Sequence, residues 1–400
     1  MNQTNDIAVQ VIGLSKNFGA VQAVQNVSLS IAAGEYFVLL GPSGGGKTTL
    51  LRLLGGFIRP SAGQILLHGH DVSEQPPNRR PTSMVFQSFA LFPHMTVAQN
   101  VGYGLRLRKL PKEEIAARVD AMLKLVGLTD LADRMPHALS GGQQQRVQLG
   151  RSLVLETDIL LLDEPLAALD ANLRKDMCLE LKYLQERVGI TFVHVTHNQE
   201  EAMTVADNLA IIADGKLIET GDAQALYKNP LRRFTADFIG ENNIFDGQIA
   251  ALNGPLAEVD LGFATLAVDP RGQTARVGDR VAVSIRSELV SIVAPDEAVD
   301  GARQSMPARY GKAVYLGLAT SHVSHLPDGG TIVARQVSAD EAPAEFAPGA
   351  AITLAWPRAG MRLHLSYGHT TFYRFAMRYV LTCQPATRNS PWTHGKFDFP

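Results

Sequence analysis

Residues Gly41 to Thr49 read Gly-Pro-Ser-Gly-Gly-Gly-Lys-Thr-Thr and fit G-x-x-x-x-G-K-[ST], with Gly41, Gly46, Lys47 and Thr48 in the fixed places. Such a loop suits phosphate. Its glycines let backbone N–H groups point inward, and the N-terminus of a following helix adds partial positive charge. Pro42, Ser43, Gly44 and Gly45 form the wrap, Lys47 would reach the β- and γ-phosphates, and Thr49 runs on into the helix. The Thr48 hydroxyl is a candidate ligand for Mg²⁺. A second candidate is the apolar run Ile159–Leu162, which ends in Asp163-Glu164-Pro165. Asp163 could hold the cation through its waters, and Glu164 could orient or deprotonate an attacking water. The third is Leu139-Ser140-Gly141-Gly142-Gln143. Ser140 is a natural N-cap there, and the two glycines allow close backbone approach to an anion.

These groups need elements to carry them. Tyr36–Leu40 is an apolar run of strand length, and Thr49–Leu54 has the composition of a helix start. Ile159–Leu162 and Ile190–Val195 read as buried strands, with a helix over Leu173–Val188 between them and another following Gly142. Ile115, Val119, Met122, Leu123 and Val126 give residues 112–126 a helical period. Residues 7–31 suggest two strands joined by a turn, 61–72 a short hairpin, and Pro76–Pro81 a surface loop. Beyond Gly240 the texture changes. Short β-type runs at Val281–Ile285, Ala313–Leu316, Thr331–Ala334 and Ala351–Ala355 suggest a small all-β domain. The expected class is therefore α/β followed by an all-β, OB-like unit.

Composition bounds the rest. With 400 residues, 46% of them hydrophobic, the chain can bury a large core in two or three domains. A formal net charge of -2 offers no global attraction to nucleic acid. Met1–Gln10 does not read as a signal peptide, and no apolar stretch approaches the roughly 20 residues of a membrane span. Cys178 and Cys383 are isolated from each other, which suits a reduced cytoplasm and suggests no metal site.

The motif set as a whole resembles the ATP-binding cassette ATPases. Gly41–Thr48, Gln87 in Val85-Phe86-Gln87, Leu139–Gln143, Ile159–Pro165, Leu169-Asp170 and His197 in Val195-Thr196-His197 occur in that family's order and spacing, across roughly residues 7–240. The resemblance implies ATP and Mg²⁺, with Thr48, Gln87 and Asp163 around the metal and Glu164, His197, Lys47 and Gln87 in catalysis. It places Phe18 as an adenine-stacking aromatic, and Asp170 in the family's D-loop. It also implies a head-to-tail pair of chains, in which Ser140, Gly141, Gly142 and Gln143 of one close on the nucleotide held by the other. A helical subdomain at about 88–155 would dock on membrane permeases, with Phe89–Val97 as the exposed apolar contact. Asn198 stands where the family usually has aspartate, and Ala167 where serine is common.

Residues 239–247 and Ser284-Ile285-Arg286-Ser287-Glu288 resemble the TOBE domain of importer ATPases, with Ser287 in place of the usual proline. The implied organisation is an ATPase domain over 1–240, a TOBE-like domain over 241–365 and an extension over 366–400. Phe238–Phe245, Met84–Gln87 and Phe92–Val97 look most like spermidine/putrescine importer ATPases; ferric iron, sulfate or sugar import stays open. The implied location is the cytoplasmic face of the cell membrane, beside permease subunits and, indirectly, a substrate-binding protein. Readings as a cassette protein of nucleic acid or ribosomes, or as a regulatory protein, stand behind it. In the extension, Phe372, Phe375 and Tyr379 could share a helical face with Arg374 and Arg378 beside it.

Overall fold

Three uninterrupted apolar runs set the centre of the molecule, because strands buried on both faces cannot alternate apolar with polar. The computed structural model describes residues 6–88, 90–295, 299–337 and 346–365; Phe89 and the extension lie outside them. In chain order, β1 (Ile7–Phe18), β2 (Val21–Ala32) and β3 (Tyr36–Leu40) lead to α1 (Lys47–Leu54). The hairpin β4 (Ala62–Leu67) and β5 (His70–Asp71) precedes β6 (Thr82–Val85). Four helices follow: α2 (Val97–Val101), α3 (Tyr103–Leu107), α4 (Lys112–Leu125) and α5 (Gly141–Leu153). Next come β7 (Ile159–Asp163), α6 (Ala171–Val188), β8 (Thr191–Thr196) and α7 (Gln199–Val205). Then β9 (Asn208–Ala213), β10 (Lys216–Asp222), α8 (Ala223–Lys228) and α9 (Arg233–Phe238) close the first part.

The six-stranded sheet runs β10-β9-β3-β8-β7-β6, parallel throughout except for the β9–β10 hairpin. Alternate residues of each strand serve different cores. Phe37, Leu39, Leu161 and Val193 pack with α1 and with the antiparallel sheet β2-β1-β4-β5. Tyr36, Val38, Leu160 and Phe192 pack with α5, α6, α7 and α8 on the other face. A separate core of Val97, Val101, Leu105, Val119, Leu123 and Val147 joins α2–α5.

Two details depart from the sequence expectation. Pro77–Arg79 is a single 3₁₀ turn, and Arg80 beyond it is buried rather than on a surface loop. Its guanidinium donates to the Leu53 and Leu54 carbonyls, so it caps the C-terminus of α1. In the segment expected to be an exposed apolar contact, Val97 is fully buried. Phe92 packs on Tyr103 (ring centroids 4.4 Å apart) beneath the Arg151 guanidinium.

The C-terminal part opens with β11 (Asn242–Asn253), β12 (Leu256–Asp260), β13 (Thr265–Val268) and β14 (Arg280–Arg286). After β15 (Ser291–Val293) come β16 (Arg303–Tyr315), β17 (Ala319–His325), β18 (Thr331–Val337), β19 (Ala351–Pro357) and β20 (Arg362–Leu365). They form two antiparallel five-stranded sheets, β13-β12-β11-β14-β20 and β15-β19-β16-β17-β18, around one core centred on Trp356, Val283 and Leu354. Arg286 joins this part to the first. Its guanidinium lies 3.9 Å over the Tyr227 ring and donates to the Ile239 and Tyr227 carbonyls, while the Tyr227 hydroxyl donates to Glu288 (2.8 Å). Ser287 donates its N–H to the Glu241 carbonyl (3.0 Å) and its hydroxyl to the Glu241 carboxylate (3.0 Å).

Candidate functional site

The loop after β3 closes on itself. An added Cβ at Gly41 would lie 1.9 Å from the Ile212 carbonyl oxygen, and one at Gly46 would lie 2.4 Å from that of Ala23. Only glycine fits either place. Gly45 is also enclosed, whereas Ser43 and Gly44 are exposed at the rim beside half-buried Pro42. Lys47 is buried, with its ammonium donating to the carbonyls of Gly41 and Pro42 at 2.8 Å each. Burial pulls it below the usual lysine value, against the nearby Glu164 and Asp163 carboxylates. No side chain caps the N-terminus of α1. Its first-turn N–H groups, including those of Thr48 and Thr49, are left for an anion.

The neighbouring parallel strands β3, β8, β7 and β6 end side by side, so the residues that follow them meet. Thr48 Oγ1 donates to Asp163 Oδ1 at 2.9 Å, and Arg52 approaches the other Asp163 oxygen at 3.9 Å. Burial pushes the Asp163 carboxyl up, and these two contacts draw it back. Glu164 sits in the left-handed region at φ 46°, a conformation that costs a non-glycine residue roughly 1–3 kcal/mol. Its N–H donates to the Val195 carbonyl at 3.0 Å, which ties it to the end of β8. Gln87 Nε2 donates to Glu164 Oε2 at 3.2 Å, and His197 Nδ1 lies 3.3 Å from Glu164 Oε1. Asn198 accepts from the N–H groups of Glu200 and Glu201 and so caps α7, which aspartate would do equally well.

Six of the residues singled out in the sequence are thus brought together: Lys47, Thr48, Gln87, Asp163, Glu164 and His197. The others lie elsewhere. Phe18 is half exposed at the end of β1, with the Lys16 ammonium 5.0 Å from its ring centroid. Ser140 and Gln143 form a reciprocal capping box at the start of α5, with Gly141 and Gly142 in its first turn, and Asp170 caps α6. Among the described residues, no hydrogen bond or ion pair joins Ser140–Gln143 or Asp170 to the six. Sequence reasoning passed over Gln148, whose amide on α5 donates to the carbonyls of Phe86 and Ser88 on either side of Gln87. It passed over Arg174 and Glu201 as well.

The donor set fits a nucleotide triphosphate: an uncapped helix start, a buried ammonium and a free loop rim. For a metal, Thr48 and Asp163 offer hard oxygen atoms. Among the described residues no cluster of three or more His, Cys, Asp or Glu forms a cage. A divalent cation held here would therefore need phosphate and water oxygens to complete its shell, as Mg²⁺ commonly does.

Comparison with known proteins agrees with this geometry. A model of the ABC transporter family matches residues 24–167, and a model of the TOBE domain matches residues 283–363. The spermidine/putrescine import ATP-binding protein PotA of Rubrobacter xylanophilus is 46% identical over 352 residues, covering 88% of this chain and 92% of that protein. The chain belongs to the ATP-binding cassette family. It is accordingly an ATP-binding ATPase. PotA of Chromobacterium violaceum is 44% identical over 356 residues (87% of this chain, 96% of that protein). PotA 2 of Pseudomonas aeruginosa is 41% identical over 349 residues, with 87% and 96% covered. Among solved structures, cbiO1 from Clostridium perfringens, part of the ABC transporter complex cbiONQ, superposes with a TM-score of 0.53 at 32% identity. That match covers 56% of this chain and 91% of that one. No helix among the described residues is long and apolar enough to cross a membrane.

Proposed function

We propose that this chain is the energy-coupling ATPase of a polyamine importer, acting as a head-to-tail homodimer on the cytoplasmic face of a membrane beneath two permease subunits. The observation that carries the catalytic part is the convergence of Gln87, Glu164 and His197 beside Lys47, Thr48 and Asp163. In this reading the loop N–H groups and Lys47 hold the phosphates, while Thr48, Asp163 and Gln87 serve Mg²⁺, which when bound offsets phosphate charge. Glu164 takes the proton of the water that attacks the γ-phosphorus. The bond from that phosphorus to the bridging oxygen breaks, and ADP and phosphate leave. His197 holds Glu164 and the transferred group in line. Phe18 stacks on adenine, and Ser140–Gln143 and Asp170 complete the partner's site, consistent with the exposure of Ser140 and Asp170 away from this chain's own cluster.

The solute class rests on the names of the relatives, each a spermidine/putrescine import protein. Glu164→Gln should keep ATP affinity, lose at least about 100-fold in turnover and accumulate as an ATP-bound dimer on size-exclusion chromatography. Normal turnover would remove Glu164 from the mechanism. For the solute, the ATPase and its co-encoded permeases in vesicles should hydrolyse ATP faster when the binding protein carries spermidine. Stimulation by ferric iron, sulfate or a sugar instead would reassign the substrate while leaving the coupling role in place.

A further inference from the structure

Beneath the Glu164–His197 pair lies a second polar group of residues to which no role has yet been given. Glu200 and Glu201 both open α7, yet Glu200 is exposed and Glu201 is buried. A buried carboxylate needs partners, and Thr196 and Arg174 supply them to Glu201, with neutral His194 packed nearby. The Thr196 hydroxyl donates to its Oε2 at 2.6 Å, the Arg174 Nε lies 3.6 Å from its Oε1, and His194 Nε2 is 4.0 Å away. Burial raises the Glu201 carboxyl, and Thr196 and Arg174 pull it back. Arg174, on the first turns of α6, also donates to the carbonyls of Leu166 (3.4 Å) and Leu169 (2.8 Å). Those two residues lie in the loop that begins at Glu164 and ends at Asp170. Thr196, in turn, directly precedes His197 and accepts the N–H of Asn198 at 3.0 Å.

One guanidinium therefore holds the loop of Glu164 from below, and through one carboxylate it holds the strand end that presents His197. We propose that Arg174, Glu201 and Thr196 are positioning residues that set the Glu164–His197 register and tie it to the Asp170 loop. The chemistry favours this arrangement. Glu164 already occupies an uncommon backbone conformation, which persists only where its surroundings over-determine it. A displacement of about 1 Å between reacting groups can cost roughly 100-fold in rate. The relay touches neither Lys47 nor the phosphate loop, so it should govern turnover and leave nucleotide affinity alone. It rests on the proposed roles of Glu164 and His197.

The test uses the full-length chain with Mg²⁺ and ATP, measuring kcat and KM for hydrolysis and the affinity for a fluorescent ATP analogue. Arg174→Met and Thr196→Val should each lower kcat about tenfold or more, with affinity changed less than about twofold, and Thr196→Ser should restore kcat. The double variant should lose little beyond either single change, because both break one relay. A loss of affinity with kcat intact, fully multiplicative losses, or no rescue by serine would overturn the proposal. If Arg174→Met fails to fold, as judged by its melting curve, the Thr196 pair carries the test. Turnover surviving in Glu164→Gln would sink the hydrolytic reading itself. Turnover lost there but untouched in Arg174→Met and Thr196→Val would sink only the relay.

Discussion

Four parallel strands, β3, β8, β7 and β6, stop side by side. Asp163 ends β7, Glu164, His197 and Gln87 follow within two residues of strand ends, and Lys47 starts the helix after the loop from β3. In the two C-terminal sheets the strands are antiparallel, so successive strands stop at opposite ends and nothing converges in this way. Buried polar groups occur in both regions with different outcomes. In the ATPase part they leave functional atoms free at a rim. In the β part many pair with one another away from any rim: Ser284 with His364 at 2.8 Å, Tyr310 with His322 at 3.0 Å, and Asn243 with both main-chain groups of Val333. Ser321 Oγ, Ser324 Oγ and Trp356 Nε1 are buried there without a hydrogen-bond partner among the described residues. Arg286 is spent holding the junction. The comparison teaches that strand direction, rather than the number of buried polar residues, decides where a sheet can gather reactive groups.

Substitutions on either side can break this contrast. The largest effect is expected at Lys47, because an uncompensated phosphate loses its buried ammonium. Lys47→Ala should weaken ATP binding by two to three orders of magnitude, about 3–4 kcal/mol. Calorimetric titration would read it, and undiminished binding would count against the whole nucleotide site. Arg286→Met should leave ATP affinity unchanged and destabilise the junction by about 2–3 kcal/mol, since two carbonyls and an aromatic face lose their partner. Hydrogen exchange at residues 227–241 and 284–288 would reveal it; a loss of nucleotide affinity instead would show that the two regions are not separable.

Acid should act on both regions through histidines. Burial lowers His194 to about 3 and, beside Arg233 and Arg362, His364 to about 4. Each stays neutral when folded, and the unfolded chain takes up a proton near its ordinary value of 6.5. The stability they contribute is thus complete above that value and lost as pH falls toward 4 and 3, by up to about 1.4 kcal/mol per pH unit for each. The drop in melting temperature from pH 7 to pH 5 should shrink in His194→Gln; an unchanged drop would assign the acid sensitivity elsewhere. The smallest effect is expected for Ser287→Pro, which removes two hydrogen bonds to Glu241 and should cost about 1–2 kcal/mol. A cost equal to that of Arg286→Met would mean that Ser287 carries more of the junction than its contacts suggest.

The phosphate loop, the acidic strand end and the helix cap at Ser140 were all legible in the sequence. Each depends on residues within a few positions of one another: glycines for close approach, an apolar run for a buried strand, a serine directly before a helix start for an N-cap. The helices found at 112–125 and 171–188 were legible as helical stretches over 112–126 and 173–188, whereas the Asp170 cap that starts the second was not. The two long first strands were legible in part, through the alternation at 8–12 and 27–31 of 7–18 and 21–32. The inner β strands were less so, since their pairing joins residues as distant as Val283 and Leu363.

What the sequence determined by itself was the kind of chemistry: a bound nucleotide, a carboxylate pair and a histidine. Only tertiary structure decided which of two neighbouring acids is drawn under the site, because Glu200 and Glu201 are adjacent and alike until α7 packs and buries one of them. The same holds for Arg80 and Arg174. A guanidinium in a chain is presumed solvated, and only packing brings it within reach of carbonyls that would otherwise be left without a donor.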